Sequence, residues 1–343
     1  MEMVPVEEAV GMVLGHDLTE IVPGKCKHAA FKKGHIIKKE DIPKLLNMGK
    51  DNIYILQLKE GMLHENKAAI RMAKAGAGEG ISLTQPNEGR VNLIANYRGL
   101  LKINYKALEQ INSIDQIMFS TLHTNQVIGE ATMIAGTKII PLTLEEEKIE
   151  EVERICKENY PIACVKPFKK LKIGIVTTGN EVFYKRIEDK FGSVIESKFS
   201  ELGCSIMEQV LSKDDSDMIA DSIKYLLDKG ADLITVTGGM SVDPDDVTPL
   251  GIKKSGAHII SYGAPTIPGA MFLLSYLGSV PIVGLPACVM YSKETIFDLV
   301  IPRLITGEKV LKRDIVSLGH GGLCRGCDIC SFPNCGFGKG GLY

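Results

Sequence analysis

Three carboxylates follow two glycines in residues 235–246, which read TVTGGMSVDPDD. The β-branched residues before the glycines are typical of a buried strand, so Asp243, Asp245 and Asp246 come just after a strand end. A surface turn does not need this much negative charge, whereas Mg²⁺ binds one or two carboxylates together with the phosphates of a substrate. The alternative interpretation is that a helix begins near Pro244 and that the aspartates cap it.

Two other glycine-containing loops have comparable positions in the chain. Residues 177–181 (TTGNE) end the apolar run that begins at Ile173, and residues 265–270 (PTIPGA) precede a long apolar segment. In open α/β sheets, ligands bind beyond the carboxyl ends of the strands, where glycines let backbone amides approach an anion. The three loops therefore predict one anion site. The candidate binding residues are Thr178, Gly179, Asn180, Gly238, Gly239, Ser241, Pro268 and Gly269.

The predicted roles of these residues follow from their chemistry. The glycines allow close approach of the backbone, and the hydroxyls of Thr178 and Ser241 donate hydrogen bonds to the ligand. Carboxylates beside an anion would repel it unless a divalent cation such as Mg²⁺ lies between them. The candidate catalytic residues are Glu181, Asp243 and Asp246, and Asp245 is a candidate ligand of the metal.

The elements that must position these loops alternate between strand and helix. Apolar runs predict strands at residues 173–177, 206–211 and 233–237, with a helix at 194–202 after the first. A second helix is predicted to start with Asp214 or Ser216 as its cap and to end at Gly230. The resulting β-α-β-α-β order indicates an α/β fold with a three-layer, parallel or mixed sheet. The uncharged stretch 268–292 contains several Gly and Pro residues, which favour two buried strands and a turn over a membrane helix.

The whole chain of 343 residues is too long for one ordinary core. We predict a β-rich region at 1–142, a connecting helix and linker at 143–170, the α/β domain at 171–317 and a cysteine-rich tail at 318–343. A capping box of Thr143 and Glu146 is predicted to begin the connecting helix. The net charge of −2 and the lack of a basic patch argue against nucleic-acid binding. The N-terminal residues do not resemble a signal peptide, so a cytoplasmic protein without membrane contact is expected.

Motifs that would indicate other functions are missing from the sequence. There is no G-x-G-x-x-G after the first strand of the α/β domain, no P-loop, no G-x-S-x-G and no H-E-x-x-H. These absences count against dehydrogenase, NTPase, α/β-hydrolase and zincin interpretations. Five cysteines are scattered in apolar surroundings and are predicted to be buried thiols. They are Cys26, Cys156, Cys164, Cys204 and Cys288.

The other four cysteines form a C-x2-C-x2-C-x4-C run near the C-terminus. They are Cys324, Cys327, Cys330 and Cys335. Four thiolates at this spacing suit Zn²⁺ or an iron–sulfur cluster, and the spacing does not decide between them. His320 is a candidate substitute ligand. The alternative is a redox-active tail that holds no metal.

The segment from residue 172 to about 308 resembles the molybdopterin-binding domain shared by molybdopterin adenylyltransferases and molybdopterin molybdenumtransferases, including the MoeA-like and gephyrin-like proteins. The matching motifs are T-G-[DN]-E at 178–181, G-G-x-[SG] at 238–241, P-x-D-V-T-P at 244–249, P-G at 268–269 and L-P at 285–286. Residues 6–34 also resemble the opening of the MoeA-like proteins.

The resemblance implies molybdopterin, or its adenylylated form, as ligand, together with Mg²⁺ and molybdate. In this family, carboxylates assist adenylyl transfer or insertion of molybdate, and Asp246, Glu181 and Asp214 match the acidic positions. The implied activity is that of a molybdopterin molybdenumtransferase. Related proteins pair or trimerise through this domain, so the resemblance also allows a homo-oligomer.

The sequence departs from the molybdenumtransferase pattern at several places. Ala287 and Cys288 replace the Gly-Asn of L-P-G-N-P, Ala270 replaces a lysine, and two active-site segments of the first region are missing. These departures leave two alternatives open. One is a non-catalytic carrier or sensor that passes the cofactor to a molybdoenzyme. The other is a pyrophosphatase-like enzyme on the same domain, as in competence/damage-inducible proteins.

Overall fold

The computed structural model of the protein describes residues 2–22, 26–55 and 60–340, without the side chains of residues 21–22 and 26–29. The chain divides into two compact units. The first consists of Met1–Asn96, Ile103–Leu122 and Glu130–Val165, and the second of Tyr97–Lys102, His123–Gly129 and Lys166–Tyr343. The chain therefore passes between the units several times, whereas the sequence analysis divided it into consecutive segments.

The structure contains the following elements. The strands are β1 (Glu2–Pro5), β2 (Leu18–Val22), β3 (Cys26–Phe31), β4 (Asn52–Ile55), β5 (Met62–His64), β6 (Ile81–Leu83), β7 (Val91–Ala95), β8 (Gly99–Ile103), β9 (Ile117–Thr121), β10 (Val127–Ile128), β11 (Met133–Ile139), β12 (Thr143–Glu145), β13 (Ala163–Pro167), β14 (Lys172–Thr178), β15 (Ser205–Ser212), β16 (Leu233–Thr237), β17 (His258–Tyr262), β18 (Leu273–Leu277) and β19 (Val280–Leu285). The helices are α1 (Ile42–Asn47), α2 (Glu65–Gly76), α3 (Tyr105–Asn112), α4 (Glu146–Glu158), α5 (Asn180–Phe183), α6 (Phe191–Glu201), α7 (Ser216–Asp228), α8 (Thr248–Lys254), α9 (Ile296–Ile305) and α10 (Lys312–Val316). Within the described ranges, no helix has the length and apolar character needed to cross a membrane.

The first unit is β-rich, as predicted. Its largest sheet is antiparallel, in the order β6-β7-β11-β9, and three two-stranded sheets pair β1 with β4, β2 with β3 and β12 with β5. Helix α2 is held to the main sheet by the hydroxyl of Thr137 in β11, which donates to the carbonyl of Ala69 at 2.9 Å. Both residues are buried, so this bond satisfies a hydroxyl that burial would otherwise leave unpaired.

The predicted capping box of the connecting helix is wrong. Thr143 lies in β12, opposite His64 of β5, and α4 begins at Glu146 with Glu145 as its N-cap and no side-chain cap bond. The carboxylate of Glu146 instead accepts a hydrogen bond from Arg71, which also bonds Glu153. Strand pairing therefore holds Thr143, and the bond from Arg71 holds Glu146, so neither residue takes part in a capping box.

The second unit is built on a six-stranded mixed sheet in the order β15-β14-β16-β19-β18-β17. The first four strands are parallel, and β18 and β17 are antiparallel to their neighbours. The predicted strand pair within 268–292 is confirmed by β18 and β19, which are joined at Gly278 with φ +60°. The carboxyl ends of β14, β16 and β19 thus lie side by side at one edge of the sheet.

Helices cover both faces of this sheet. Alternate strand residues point to opposite sides, so Ile175 packs in the core formed with α6 and α9, and Val176 in the core formed with α7 and α8. The rings of Phe199 in α6 and Phe297 in α9 meet edge to face with centroids 5.2 Å apart. Full burial of each such side chain stabilises the fold by roughly 1.5–3 kcal/mol. This two-sided burial confirms the three-layer α/β fold.

The cap of α7 differs from both predicted candidates by one residue. The side chain of Asp215 accepts hydrogen bonds from the amides of Asp217 and Met218, each at 2.9 Å. Asp214 is consequently not needed at the start of the helix, and its carboxylate faces the loop that follows β14. The start of α6 also lies earlier than predicted, at Phe191, while its end at Glu201 is close to the predicted residue 202.

Candidate ligand site at the strand ends

The loop after β14 turns sharply at Gly179. Its φ of +140° is unfavourable for other residues, and a Cβ atom there would lie 2.8 Å from Oε1 of Glu181. The next amide, that of Asn180, donates to Oδ2 of Asp214 at 2.9 Å. The Gly179 amide donates to the carbonyl of Ser212 at 3.2 Å. The structure therefore joins the turn after β14 to the acidic residue after β15.

The loop after β16 packs directly against the end of β14. Gly238 and Gly239 have φ values of +88° and +56°, and a Cβ on Gly238 would lie 2.3 Å from the backbone oxygen of Thr178. The hydroxyl oxygens of Thr178 and Thr248 are 3.2 Å apart, and both side chains are buried. The two loops are thus held in backbone-to-backbone contact that only glycine permits, with a buried hydroxyl pair beneath it.

The carboxylates after Gly239 form a turn and do not cap a helix at Pro244. The amide of Asp243 donates to Oδ2 of Asp246 at 3.0 Å, and the Asp246 amide donates to the carbonyl of Asp243 at 2.9 Å. Helix α8 begins only at Thr248. The helix-cap interpretation is therefore wrong, because the aspartates bond to each other's backbone instead.

Four carboxylates from three loops influence one another. Burial raises the pKa of Asp214, and the negative charges of Glu181, Asp245 and Asp246 raise it further, against the lowering effect of its hydrogen bond from Asn180. These side chains are close enough to repel, yet no three His, Cys, Asp or Glu side chains in the described ranges meet the geometry of a metal site. The cluster is thus a region of negative charge that a cation would relieve.

A cavity of about 390 Å³ lies beside the glycines of the β16 loop. Five of the predicted residues line it: Gly238, Gly239, Ser241, Asp243 and Asp246. The other predicted residues near the strand ends, Thr178, Gly179, Asn180, Glu181 and Asp245, do not line this cavity. Gly269 is buried with φ +129° against Ile296 of α9, and Pro268 lines a different cavity.

Several lining residues were not predicted as site residues. Ala287, Cys288 and Tyr291 follow β19, the strand beside β16, and also line the cavity. The sequence signal for them was the departure from L-P-G-N-P, which marked this loop as part of the same strand-end region. Burial raises the pKa of the Cys288 thiol, so this side chain is a neutral contact at neutral pH.

Tyr262 of β17 is a further residue that the sequence did not reveal. Its hydroxyl donates to the carbonyl of Met240 at 3.1 Å and lies 3.4 Å from the backbone carbonyl oxygen of Ser241. Partial burial and the charge of Asp246 raise the pKa of the phenol, which keeps it protonated as a donor. Tyr262 therefore holds the loop that forms one side of the cavity.

The four cysteines of the C-terminal run all line a second cavity of about 460 Å³. Cys327 and Cys330 are exposed, whereas Cys324 and Cys335 are half-buried. Of the scattered cysteines, Cys156, Cys164 and Cys204 are buried as predicted, and Cys288 is half-buried. The side chain of Cys26 lies outside the described residues.

A third cavity, near the start of α9, contains an unusual carboxyl group. Burial raises the pKa of Glu294 from 4.5 to about 7, with further effects from the neighbouring charges of Asp298, Lys198 and Glu201, of which only the lysine lowers it. Because the folded-state pKa is raised, ionisation of Glu294 costs stability as pH rises from about 4.5 through 7.

We expect Glu294→Gln to stabilise the protein at pH 8 by about 1 kcal/mol, a value discounted for solvent screening of this half-buried group. At pH 5 the variant and the native protein should unfold at nearly the same temperature, since Glu294 is then protonated. Thermal unfolding between pH 5 and 8 measures the difference. An exposed control, Glu150→Gln, should follow the native curve, and an equal benefit from Glu294→Gln at both pH values would contradict the expected ionisation.

Two family models match separate parts of the chain. Residues 174–306 match the model described as "Probable molybdopterin binding domain". The match covers less than half of the chain, so the likeness concerns this segment and not the whole protein. The matched segment contains most of β14, all of β15 to β19 and all the strand-end loops of the candidate site. Residues 3–57 match a domain of unknown function, DUF8806.

Curated relatives match a shorter stretch. A CinA-like protein of Mycobacterium avium is 35% identical over 77 residues, which are 22% of this chain and 18% of the relative. A CinA-like protein of Mycobacterium tuberculosis is 32% identical over a stretch of the same length. The chain thus spans about a fifth of the length of these relatives.

Solved structures of similar fold include proteins of cofactor biosynthesis. The molybdopterin biosynthesis enzyme MoaB from Thermus thermophilus has a TM-score of 0.33 and 19% identity, and the match covers 40% of this chain and 98% of that one. A tungsten cofactor synthesizing MoaB from Pyrococcus furiosus has a TM-score of 0.31 and 21% identity, with coverage of 35% and 84%. These matches carry no conclusion about the activity of this chain.

Proposed function

We propose that the second unit binds molybdopterin or its adenylylated form in the 390 Å³ cavity, as a protein of molybdenum cofactor biosynthesis. The observation that supports this most is the glycine contact between the loops after β14 and β16. It opens the backbone of Gly238 and Gly239 toward the cavity, within the segment that matches the molybdopterin-binding domain. Backbone amides exposed by glycines are suited to the phosphate of such a ligand.

The residues around the cavity suit different parts of the ligand. The β16 loop, held by Tyr262, presents the hydroxyl of Ser241 as a donor for phosphate or for the pterin ring. Met240 and Met271 provide soft, polarisable contacts that suit sulfur and aromatic groups. Asp246 lies at the edge of the cavity, where its carboxylate can position a reacting group.

The activity we propose is that of a molybdopterin molybdenumtransferase, in which molybdate is inserted with the help of Mg²⁺. The carboxylates Glu181, Asp214, Asp245 and Asp246 fit such an ion in charge, because their mutual repulsion raises the pKa of Asp214. Mg²⁺ would bridge one or two of them to the ligand phosphate. Ordering of these side chains around the ion would have to accompany binding, since they do not form a metal site in the described structure.

Cys288 favours a second candidate, the non-catalytic carrier. It replaces the asparagine of L-P-G-N-P, it lines the same cavity, and its raised pKa leaves a neutral thiol where the transferase pattern has an amide. A carrier needs only to bind and release the cofactor, and would pass it to a molybdoenzyme. Hydrolysis of dinucleotides by the pyrophosphatase-like alternative is a separate outcome of the same experiment.

The test combines binding and turnover on the purified full chain. Quenching of pterin fluorescence measures binding of molybdopterin, and the incorporation of molybdenum with Mg²⁺ and molybdate measures transfer. We expect Asp246→Asn to bind molybdopterin within a few-fold of the native protein and to lose roughly 100-fold in transfer rate. The matched control is Asp228→Asn, an exposed aspartate at the end of α7.

The outcomes separate the candidates. Failure of the native protein to bind molybdopterin would sink the proposal altogether. Tight binding without transfer, in the native protein as well as in the variant, would favour the carrier. Equal transfer rates for Asp246→Asn and the native protein would remove Asp246 from the catalytic residues. Release of nucleoside monophosphates from dinucleotides would identify the pyrophosphatase-like enzyme.

A further inference from the structure

The cysteine run lies in a folded lobe of the second unit and not in a loose tail. The amide of Ile267 donates to the carbonyl of Gly322, and the amide of Cys324 donates back to the carbonyl of Ile267, both at 2.8 Å. Near the other end of the lobe, Phe337 is only 4% exposed and packs in the core that contains α9. The backbone that carries the four cysteines is therefore anchored on both sides.

Further contacts fix the middle of the lobe. The side-chain amide of Gln126 donates to the carbonyl of Pro333 at 2.7 Å, and Nζ of Lys293 donates to the carbonyl of Asp328 at 3.1 Å. The rings of Phe332 and Phe337 meet with centroids 6.2 Å apart. None of these contacts uses a cysteine sulfur, although Cys324 and Cys335 also pack against the core that contains α9.

The four thiols share one cavity although they are spread over twelve residues of sequence. Gly326, between the first two cysteines, has φ +63°, which lets the chain turn tightly enough to bring both to the same side. The cavity of about 460 Å³ has a mainly apolar lining, including Phe332 and Phe337. Apolar surroundings limit access of water to a bound metal centre and tune its properties.

The spacing alone fits either metal centre, and the shared cavity is what favours a cluster over a single ion. Structural zinc sites typically use two separated pairs of ligands. Their sulfurs lie about 2.3 Å from the single ion, so no cavity remains among the sulfurs. Three cysteines at successive intervals of three residues are the pattern of [4Fe–4S] ligation. Here they line one cavity, which has room for more than one ion. The fourth ligand comes five residues later and reaches the same cavity.

Charges at the cavity also fit an anionic cluster. Four thiolates around a [4Fe–4S] core carry net negative charge, and the cations Arg325 and Lys293 both line the cavity. A cation near a thiolate favours the deprotonated form that ligates metal. Glu294 lines the same cavity, so two cations there accompany one carboxylate.

We propose that Cys324, Cys327, Cys330 and Cys335 ligate one [4Fe–4S] cluster next to the strand-end site. Pro268 lines the cysteine cavity, and Ala270, two residues later, lines the 390 Å³ cavity, so one short loop borders both. Assembly takes two ferrous ions, two ferric ions and four sulfides, which together make the [4Fe–4S]2+ core without a further oxidant, and the four thiols release their protons to solvent as they ligate. The sulfurs do not meet metal-site geometry in the described structure, so ligation includes local closure of exposed Cys327 and Cys330.

The experiment uses the full chain, purified without oxygen with its thiols reduced, and then incubated with equal amounts of ferrous and ferric iron and with sulfide. We expect about four irons and four sulfides per chain, a broad absorption band near 400 nm and a paramagnetic signal after reduction. The double variant Cys327→Ala with Cys330→Ala should keep less than a tenth of the iron. The matched control is Cys204→Ala, a buried thiol outside the lobe, which should keep the full iron content.

Other results would overturn the proposal. One zinc per chain with no iron after the same treatment would replace the cluster by a single-ion site. Iron-free protein under all conditions would remove the metal site. Equal loss of iron in Cys204→Ala and in the double variant would show non-specific binding. If the double variant does not fold, Cys330→Ser alone serves, because one altered ligand should shift the absorption and paramagnetic signals, and unchanged signals would contradict the assignment.

Discussion

Substitution of Gly238 by alanine is expected to destabilise the second unit by about 3 kcal/mol and to abolish binding at the strand ends. The added Cβ would lie 2.3 Å from the backbone oxygen of Thr178, in a residue whose φ is +88°. A backbone atom cannot move aside as a flexible side chain can. The two loops must therefore separate, and the buried hydroxyl pair of Thr178 and Thr248 would separate with them.

A second glycine provides the control for this variant. Gly230, after α7, has φ +89°, but a Cβ there meets no atom within 4 Å. Gly230→Ala should therefore lower the stability by only about 1 kcal/mol, which is the strain of a positive φ for alanine without any clash. Chemical unfolding of both variants, with pterin fluorescence for binding, separates the two effects. Equal costs for the two substitutions, or normal binding by Gly238→Ala, would show that the loop contact is not required.

Replacement of Arg303 by alanine should destabilise the second unit by about 3 kcal/mol. The side chain is only 8% exposed, and its Nη2 donates to Oε1 of Glu308 at 2.6 Å and lies 3.1 Å from Oδ1 of Asp314. Burial raises the pKa of Glu308, but its hydrogen bonds from Arg303 and Lys102 lower it more, so the carboxylate is charged in the fold. Removal of the arginine leaves Asp314 without this buried partner and Glu308 with Lys102 as its remaining cation.

Arg154 is a matched control for Arg303, since it also pairs with two carboxylates. It is 55% exposed on α4 and bonds Glu151 and Glu158. Exposed ion pairs contribute little, so Arg154→Ala should cost less than about 1 kcal/mol. Thermal unfolding of both variants at neutral pH gives the comparison. A cost for Arg303→Ala as small as that for Arg154→Ala would mean that the buried network is dispensable.

Much of the second unit could be predicted because its strong signals are local and agree with one another. Residues 173–177 and 233–237 are continuous apolar or β-branched runs, each with glycine soon after, and both are buried strands in the central sheet. The glycines after them bring two loops together, and five of the predicted site residues line one cavity. Their chemical roles stay predictions, because sequence and structure show position and not turnover.

The failures occurred where a local signal competed with a contact from elsewhere. Thr143 has the spacing of a helix cap, but pairing with His64 places it in a strand. Pro244 suits the first turn of a helix, but the hydrogen bonds between Asp243 and Asp246 form a turn instead. Tyr262 could not be found at all, since only the pairing of β17 with β18 brings the edge of the sheet to the β16 loop.

The two adjacent aspartates after β15 have pKa values that are shifted in opposite directions. Hydrogen bonds from the Met218 and Asp217 amides lower the pKa of Asp215, while burial and nearby carboxylates raise that of Asp214. The side chain that caps α7 and the side chain whose charge responds to its surroundings are therefore different residues, one position apart. Protonation or cation binding can change the charge at Asp214 while α7 keeps its cap. A change of charge at Asp214 therefore does not remove the cap of the helix beside the site.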